Sequence, residues 1–354
     1  MAAPIINFEQ LTPALMMQIS DIVREEVITR GIISNYVDVV SARDGERIPF
    51  LGTLSKIGKV GRGCNITDDE ASANLTEKKW LLKDWDFRLP ICYKEFEKAL
   101  YDLGLKEGVE RPDLTGTPLL NLILSLVEGA VDEMLNRFLW FGDTTGANLP
   151  EESTEQQYFE VVDGVFKQIA EMITANNGIK HISIAANALN TTAAQQAAEG
   201  LDAINILSQV INEAPAALRA QRADNREVLV TDAFFSKLKM QLLAQTLYTE
   251  SAYKMREDGI QELRIFGEKI VTVPYWDKEI NASFNDGTKL DNPYRVLYTT
   301  KENIKLGFPV LDDQMKAFED FKAWYDNKTK NMYIDGAGRL DVKVVLPQLI
   351  SVAY

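Results

Sequence analysis

TPLLNLILSLVEGAVDEMLNRFLWF, residues 117–141, decides how the rest of the chain is organised. Thr117 is placed to cap a helix, Pro118 fits the first helical position with its preset φ, and Gly142 follows the last apolar residue. Leu120, Ile123, Leu124, Val127, Ala130, Val131, Met134, Phe138 and Phe141 recur at three- and four-residue spacing. Asn121, Ser125, Glu128, Asp132, Asn136 and Arg137 fall largely elsewhere. The spacing predicts one long helix with a buried face, a rod on the order of 36 Å. A membrane span is disfavoured, because Glu128, Asp132, Glu133 and Arg137 would each cost roughly 2.5–3.5 kcal/mol at a bilayer centre.

Upstream of this rod the texture changes twice. Thr12 to Ile28 carries an amphipathic helical pattern through Leu15, Met16, Ile19, Ile22, Val23 and Val27, ended by Gly31, and Tyr36 to Val40 reads as a short strand. From Ile48 to Asp86 comes a stretch with Gly52, Gly58, Gly61 and Gly63 set among Lys56, Lys59 and Arg62, and no acid between Leu51 and Thr67. Glycine at that density cannot pack a core. Trp80, Leu82, Trp85, Phe87 and Leu89 then alternate partially, as in a strand that pairs back across the loop. A long two-stranded excursion follows, and loops of this length in compact domains are usually functional or disordered. Its functional reading is a surface arm that binds a neighbour. Tyr93 to Leu105 reads as a short helix that leads through ERPDLTG to the long one.

Downstream, the pattern is mixed α/β without a regular βαβ period. Helices are expected over 158–173, 193–212 and 232–244. Strands are expected over 181–185, 227–230, 294–299 and 303–307, with a hairpin over 263–273 around Gly267. Residues 332–354 are strand-rich, with Leu340, Val342 and Val344 alternating against Asp341 and Lys343.

Composition narrows the function classes. The chain has 354 residues and a formal net charge of −14, which opposes general affinity for nucleic acid phosphates or anionic membranes. Cys64 and Cys92 have no CxxC spacing, so neither a disulfide framework nor a zinc site is indicated. MAAPIINFEQL lacks a basic region followed by an apolar run, so no secretion signal is expected. His181 is the only histidine, at the head of an expected strand, and no GxSxG elbow accompanies it. Asp68, Asp69 and Glu70 read as a solvated acidic loop, Asp312 and Asp313 as turn residues, and GKVGRGC lacks the order of a phosphate-binding loop. Trp276, Trp324 and Tyr325 are read as core aromatics. No catalytic, cofactor-binding or metal-ligating constellation is expected.

The order of elements resembles the major capsid proteins of tailed bacteriophages, the Hong Kong 97 fold. LWFGDTTGAN is similar to the family's spine helix and glycine-rich turn, and EVVDGVFKQI to its Asp-Gly helix start. EAPAALRAQRADNREVLVTDAFFSKLKMQLL, GEKIVTVPYWDKEI, NPYRVLYTTKENIKLGF and GRLDVKVVLPQLISVAY resemble, in turn, its helix–strand–helix segment, its strand and proline turn, its paired strands and its closing strand. The resemblance implies an α+β fold with an N-terminal arm (1–47), an extended loop (48–92), a peripheral domain (93–150, spine 117–141), an axial domain (151–331) with interleaved peripheral strands, and a return to the peripheral domain (332–354). It implies a subunit that self-assembles into hexamers and pentamers of an icosahedral or prolate head around double-stranded DNA, with no sequence-specific DNA contact, no membrane and no cofactor. A portal protein and a separate scaffold are the implied partners, since no long helical scaffolding segment precedes the arm. Lys56, Lys59 and Arg62 would lie on an adjacent subunit. The Lys–Asn cross-link of some members has no local motif here, although Lys56, Lys59 and Asn327 are present. The alternatives are an encapsulin-like cargo shell of the same fold and an α/β enzyme.

Overall fold

The structure, a computed structural model, describes residues 33–51, 75–92, 118–146, 155–197, 200–245, 253–255, 261–311, 314–315, 320–326, 328–329 and 331–354. The expected helices 12–28 and 93–105 lie outside these residues. So do Lys56, Lys59 and Arg62, the acidic run 68–70, Asp312, Asp313 and Asn327.

A helical turn (Ile33–Tyr36) leads into strand β1 (Asp38–Ala42), and β2 (Arg47–Leu51) pairs antiparallel with β3 (Leu75–Lys79). Strand β4 (Lys83–Cys92) precedes helix α1, the spine (Pro118–Phe141), and α2 (Val165–Thr174). Then come β5 (Lys180–Ile182), α3 (Thr192–Ala197), α4 (Ala203–Asn212), β6 (Arg226–Val230) and α5 (Asp232–Ala244). They are followed by β7 (Tyr253–Met255), β8 (Gln261–Ile265), β9 (Glu268–Thr272), α6 (Pro274–Ala282), β10 (Val296–Thr300) and β11 (Ile304–Leu311). The chain finishes with β12 (Gln314–Met315), β13 (Asp320–Asp326), β14 (Asn331–Val344) and β15 (Ser351–Ala353).

A seven-stranded sheet runs in the order β5-β15-β10-β6-β9-β8-β7. Its central strands are apolar on both faces, and their period of two divides them between two cores. Leu229, Val271, Leu297 and Val352 face the core that holds the spine. Val228, Val230, Ile270, Val296, Tyr298 and Ala353 face a second core closed by α4 and α5 through Leu207, Val210, Phe234, Phe235 and Leu238. A six-stranded sheet is built on β1-β11-β14-β13, with β12 beside β11 and β4 beside β14. Its Ile304, Leu306, Phe308, Ile334, Leu340, Val342 and Val344 join the spine's core, so one apolar interior fastens both sheets to the spine.

From Val131 to Phe141 the spine is buried more completely than its apolar spacing predicts. Val127 and Val131 are inside as expected, but Ala130 is exposed. Leu135, Asn136, Leu139 and Trp140 are all buried, because this end of the rod runs between the two sheets, α2 and α6. Asn136 donates its Nδ2 to Asp132 O at 2.9 Å. Trp140 sits at the centre of an aromatic cluster, 5.0 Å from Trp276 and 6.0 Å from Phe166 between ring centroids, with Tyr36 edge-on at 6.5 Å. These are the separations at which aromatic quadrupoles attract. Arg295, itself buried, lies 4.5 Å above the Phe166 ring.

Three expectations are corrected. The helix expected over 193–212 is two helices, broken where Gly200 takes φ +81° and restarted where Asp202 accepts from Asn205 N at 3.1 Å. The helix expected from Tyr158 begins only at Val165. Strand β4 does not pair back across the loop; it runs along β14 from Lys83 opposite Leu340 to Cys92 opposite Asn331. Long-range pairing wins there because Gly338 and Gly336 stand opposite Trp85 and Phe87, which stack at 6.2 Å, and Arg88 pairs with Asp335 at 2.8 Å. The stretch 332–354 is shared: β14 belongs to the six-stranded sheet and β15 to the seven-stranded one.

Candidate inter-subunit surface

Between β1 and β4 the chain leaves the six-stranded sheet and returns to it, and the root of this excursion is fixed. Trp80 is buried with Ala42 and Ile48, and its ring lies over Gly307 of β11 so closely that a Cβ there would come within 2.7 Å of the indole. Gly45, at φ +76°, turns the chain so that its N–H reaches Trp80 O at 2.9 Å, while Trp80 N–H donates to Glu46 O at 2.9 Å. Asp44 accepts from Leu82 N at 3.1 Å. Both legs of the excursion are therefore pinned to the six-stranded sheet before the chain departs through β2 and returns through β3.

A second set of bonds fastens the returning leg to β14 and α2. Asp341, buried, accepts from Leu81 N at 2.8 Å and from Lys343 Nζ at 2.9 Å. Burial raises its carboxyl pKa, and Lys343 and the Leu81 amide oppose that rise. Lys78 Nζ donates to Val344 O. Burial, reinforced by the Lys343 charge, lowers the Lys78 ammonium to about 8. Gln168 of α2 donates to Val342 O at 2.8 Å and accepts from Val344 N at 3.0 Å, as a neighbouring strand would. Between these groups and the turn after the spine lies an open groove of about 610 Å³.

The spine enters this region through a close backbone crossing. A Cβ on Gly142 would lie 2.1 Å from Val162 O, and one on Gly164 would lie 2.7 Å from Gly142 N. Gly164 N donates to Gly142 O at 2.8 Å across the crossing. Asp143 and Asp163 hold the turn between them. Burial alone would raise the Asp143 carboxyl, but hydrogen bonds from the Thr145 hydroxyl and amide and from Lys167 outweigh it and keep its pKa low. Asp163 accepts from Thr144 N at 2.9 Å and from Thr144 Oγ1 at 2.8 Å.

Of the residues set aside in the sequence, His181 and Trp276 lie away from this surface. His181 is exposed on β5 with its ring 4.6 Å from that of Tyr354, and burial of part of the imidazole lowers its pKa. Trp276 is in the core. Among the described residues no group of three His, Cys, Asp or Glu side chains could hold a metal ion, and no helix is long and apolar enough to cross a membrane. Sequence reasoning placed Trp80 and Asp341 in alternating strand patterns without giving either a role at the loop root, and it did not single out Gln168.

A spine helix gripped between two sheets, one carrying a long two-legged excursion, is the Hong Kong 97 fold of phage capsid proteins. Two solved structures support the assignment. The chain is similar to one in the satellite phage P4 procapsid that includes the size determination protein. They share 12% identity, with 96% of this chain and 98% of that chain covered, at a TM-score of 0.53. It is also similar to one of Gordonia phage Cozz, with 11% identity, 91% and 85% covered, and a TM-score of 0.51. The sequence matches no family model and no curated protein.

Proposed function

We propose that this chain is a major capsid protein, a structural subunit whose copies build the closed shell of a phage head. The observation that carries the reading is the fold's agreement with the P4 procapsid chain over nearly the full length of both. In this reading the six-stranded sheet and spine form the peripheral domain, and the seven-stranded sheet with α4 and α5 forms the axial domain. Copies associate as hexamers and pentamers around double-stranded DNA, which is held without sequence-specific contacts. The extended loop lies on an adjacent copy and presents Lys56, Lys59 and Arg62 to it. A portal protein and a separate scaffold are the further partners, the host cytoplasm is the place of assembly, and no cofactor takes part.

The chain's chemistry is consistent with this role. A strongly acidic subunit does not collapse onto DNA, so enclosure rather than binding is the relation its charge favours. Sedimentation of the purified protein, expressed with the scaffold partner, is expected to give a particle-sized species containing nuclease-protected DNA when packaging proteins are present. Boiled particles are expected to run as a single band near 39.8 kDa, since no Lys–Asn cross-linking motif is found. A homogeneous monomer at high concentration would refute the shell. A protein cargo in place of DNA would favour the encapsulin-like alternative.

A further inference from the structure

The groove at the loop root holds positive charge that its own walls do not neutralise. Lys78, Lys79 and Lys83 line it, and among the described residues none of the three is paired with a carboxylate. The acids beside them are already engaged. Asp341 is held by Lys343 and the Leu81 amide, Asp163 by Thr144, and Glu171 faces Lys167 at 4.0 Å. Lys343 therefore brings its own counter-charge, while Lys78, anchored on Val344 O, has a second ammonium near it and no anion. The lining sets Lys78, Lys79, Lys83 and Lys343 against Asp163, Glu171 and Asp341, a formal excess of one positive charge, and the half-buried Lys78 has no carboxylate partner of its own.

We propose that this groove receives a carboxylate-bearing segment of a second copy of the chain, with Lys79 and Lys83 pairing at the rim and Lys78 at the floor. The inference deepens the shell reading and rests on it. Charge complementarity selects the occupant. A copy of this acidic chain offers carboxylates at high local concentration in a shell. A nucleic acid backbone fits less well, because Asp163 and Glu171 on the same walls would repel its continuous charge, whereas a peptide can set one or two carboxylates among the lysines and present amide groups to the acids. An anion in the groove favours the charged form of Lys78, so docking takes up a proton near pH 8 and association strengthens as pH falls from about 9 to about 7. The other charged groups facing the groove are Lys79, Lys83 and Lys343 and the carboxylates of Asp163, Glu171 and Asp341.

The test is zero-length carbodiimide coupling on particles co-assembled from equal amounts of ¹⁴N- and ¹⁵N-labelled chains, read by peptide mass spectrometry. Expected are amide links from Lys79 or Lys83 to an Asp or Glu of the other isotope. The Lys79→Glu/Lys83→Glu variant, checked for an unchanged melting temperature as a subunit, is expected to need an assembly concentration about three- to tenfold higher at low salt, with the gap closing at high salt. Closed particles with no such inter-copy link, or a variant that assembles at the parent's concentration, overturn the proposal alone. Absence of closed particles in the parent preparation overturns the shell reading with it.

Discussion

Gly142 shows how much a single residue can decide and how little of that decision is visible in one dimension. In the sequence it reads as a helix terminator, which it is. In the structure its missing side chain also lets the spine's last turn cross the 162–164 segment, with backbone atoms where a Cβ would stand. Gly129 is the contrast, since it lies on an exposed face of the same helix with nothing within 4 Å of a Cβ. Gly142→Ala is expected to destabilise the unassembled subunit by about 3 kcal/mol, because backbone rather than a flexible side chain must move. Gly129→Ala is expected to stabilise it by up to about 1 kcal/mol through helix propensity and unfolded-state entropy. Urea titrations of both variants check the pair, and equal effects would contradict this account of the crossing. Trp80 and Gly307 were similarly opaque, because their contact joins residues far apart in the chain.

At the scale of elements, local signals were readable and distant pairings were not. The turn at Gly267 follows from its glycine, and the structure places Phe266 and Gly267 at positive φ there. The break between α3 and α4 carried its own punctuation, Gly200 then Asp202, but the apolar spacing on either side masked it. Nothing local announced that β4 lies along β14, or that Asp277 of α6 caps α5. That carboxylate accepts from Asp232 N at 2.6 Å and Ala233 N at 3.0 Å, supplying the N-terminal acceptor that Thr231 does not. Burial raises its pKa to about 6, against these amide hydrogen bonds. The unfolded value is near 3.9, so the group's stabilising contribution is full below about pH 4 and lost as pH rises through about 6. The stability of the parent relative to Asp277→Asn is therefore expected to fall by about 2–3 kcal/mol between pH 4 and pH 7. A difference that is flat over that range, or that rises, would show that the carboxyl is not held in its neutral form.

For the whole molecule, the order of elements was enough to indicate the fold, whereas the division of strands between the sheets required the structure. Period-two alternation in β6, β9 and β10 looks like a featureless apolar run in sequence, because both faces are buried and each sends alternate residues to a different core. The loop carrying Lys56, Lys59 and Arg62 was legible only by composition, and the role proposed for it is one in the assembly rather than in the subunit. Replacing all three by glutamate is expected to leave the subunit folded and to raise the assembly concentration, more so at low salt where screening is least. A variant that assembles like the parent at both low and high salt would remove the electrostatic role from this loop. The most direct test is cryo-electron microscopy of the assembled protein, with the proposed scaffold partner present. The shell reading predicts closed icosahedral or prolate particles whose hexamers and pentamers place the seven-stranded sheet toward the local axes and the extended loop on an adjacent copy. Discrete monomers, or open aggregates without capsomers, would contradict it.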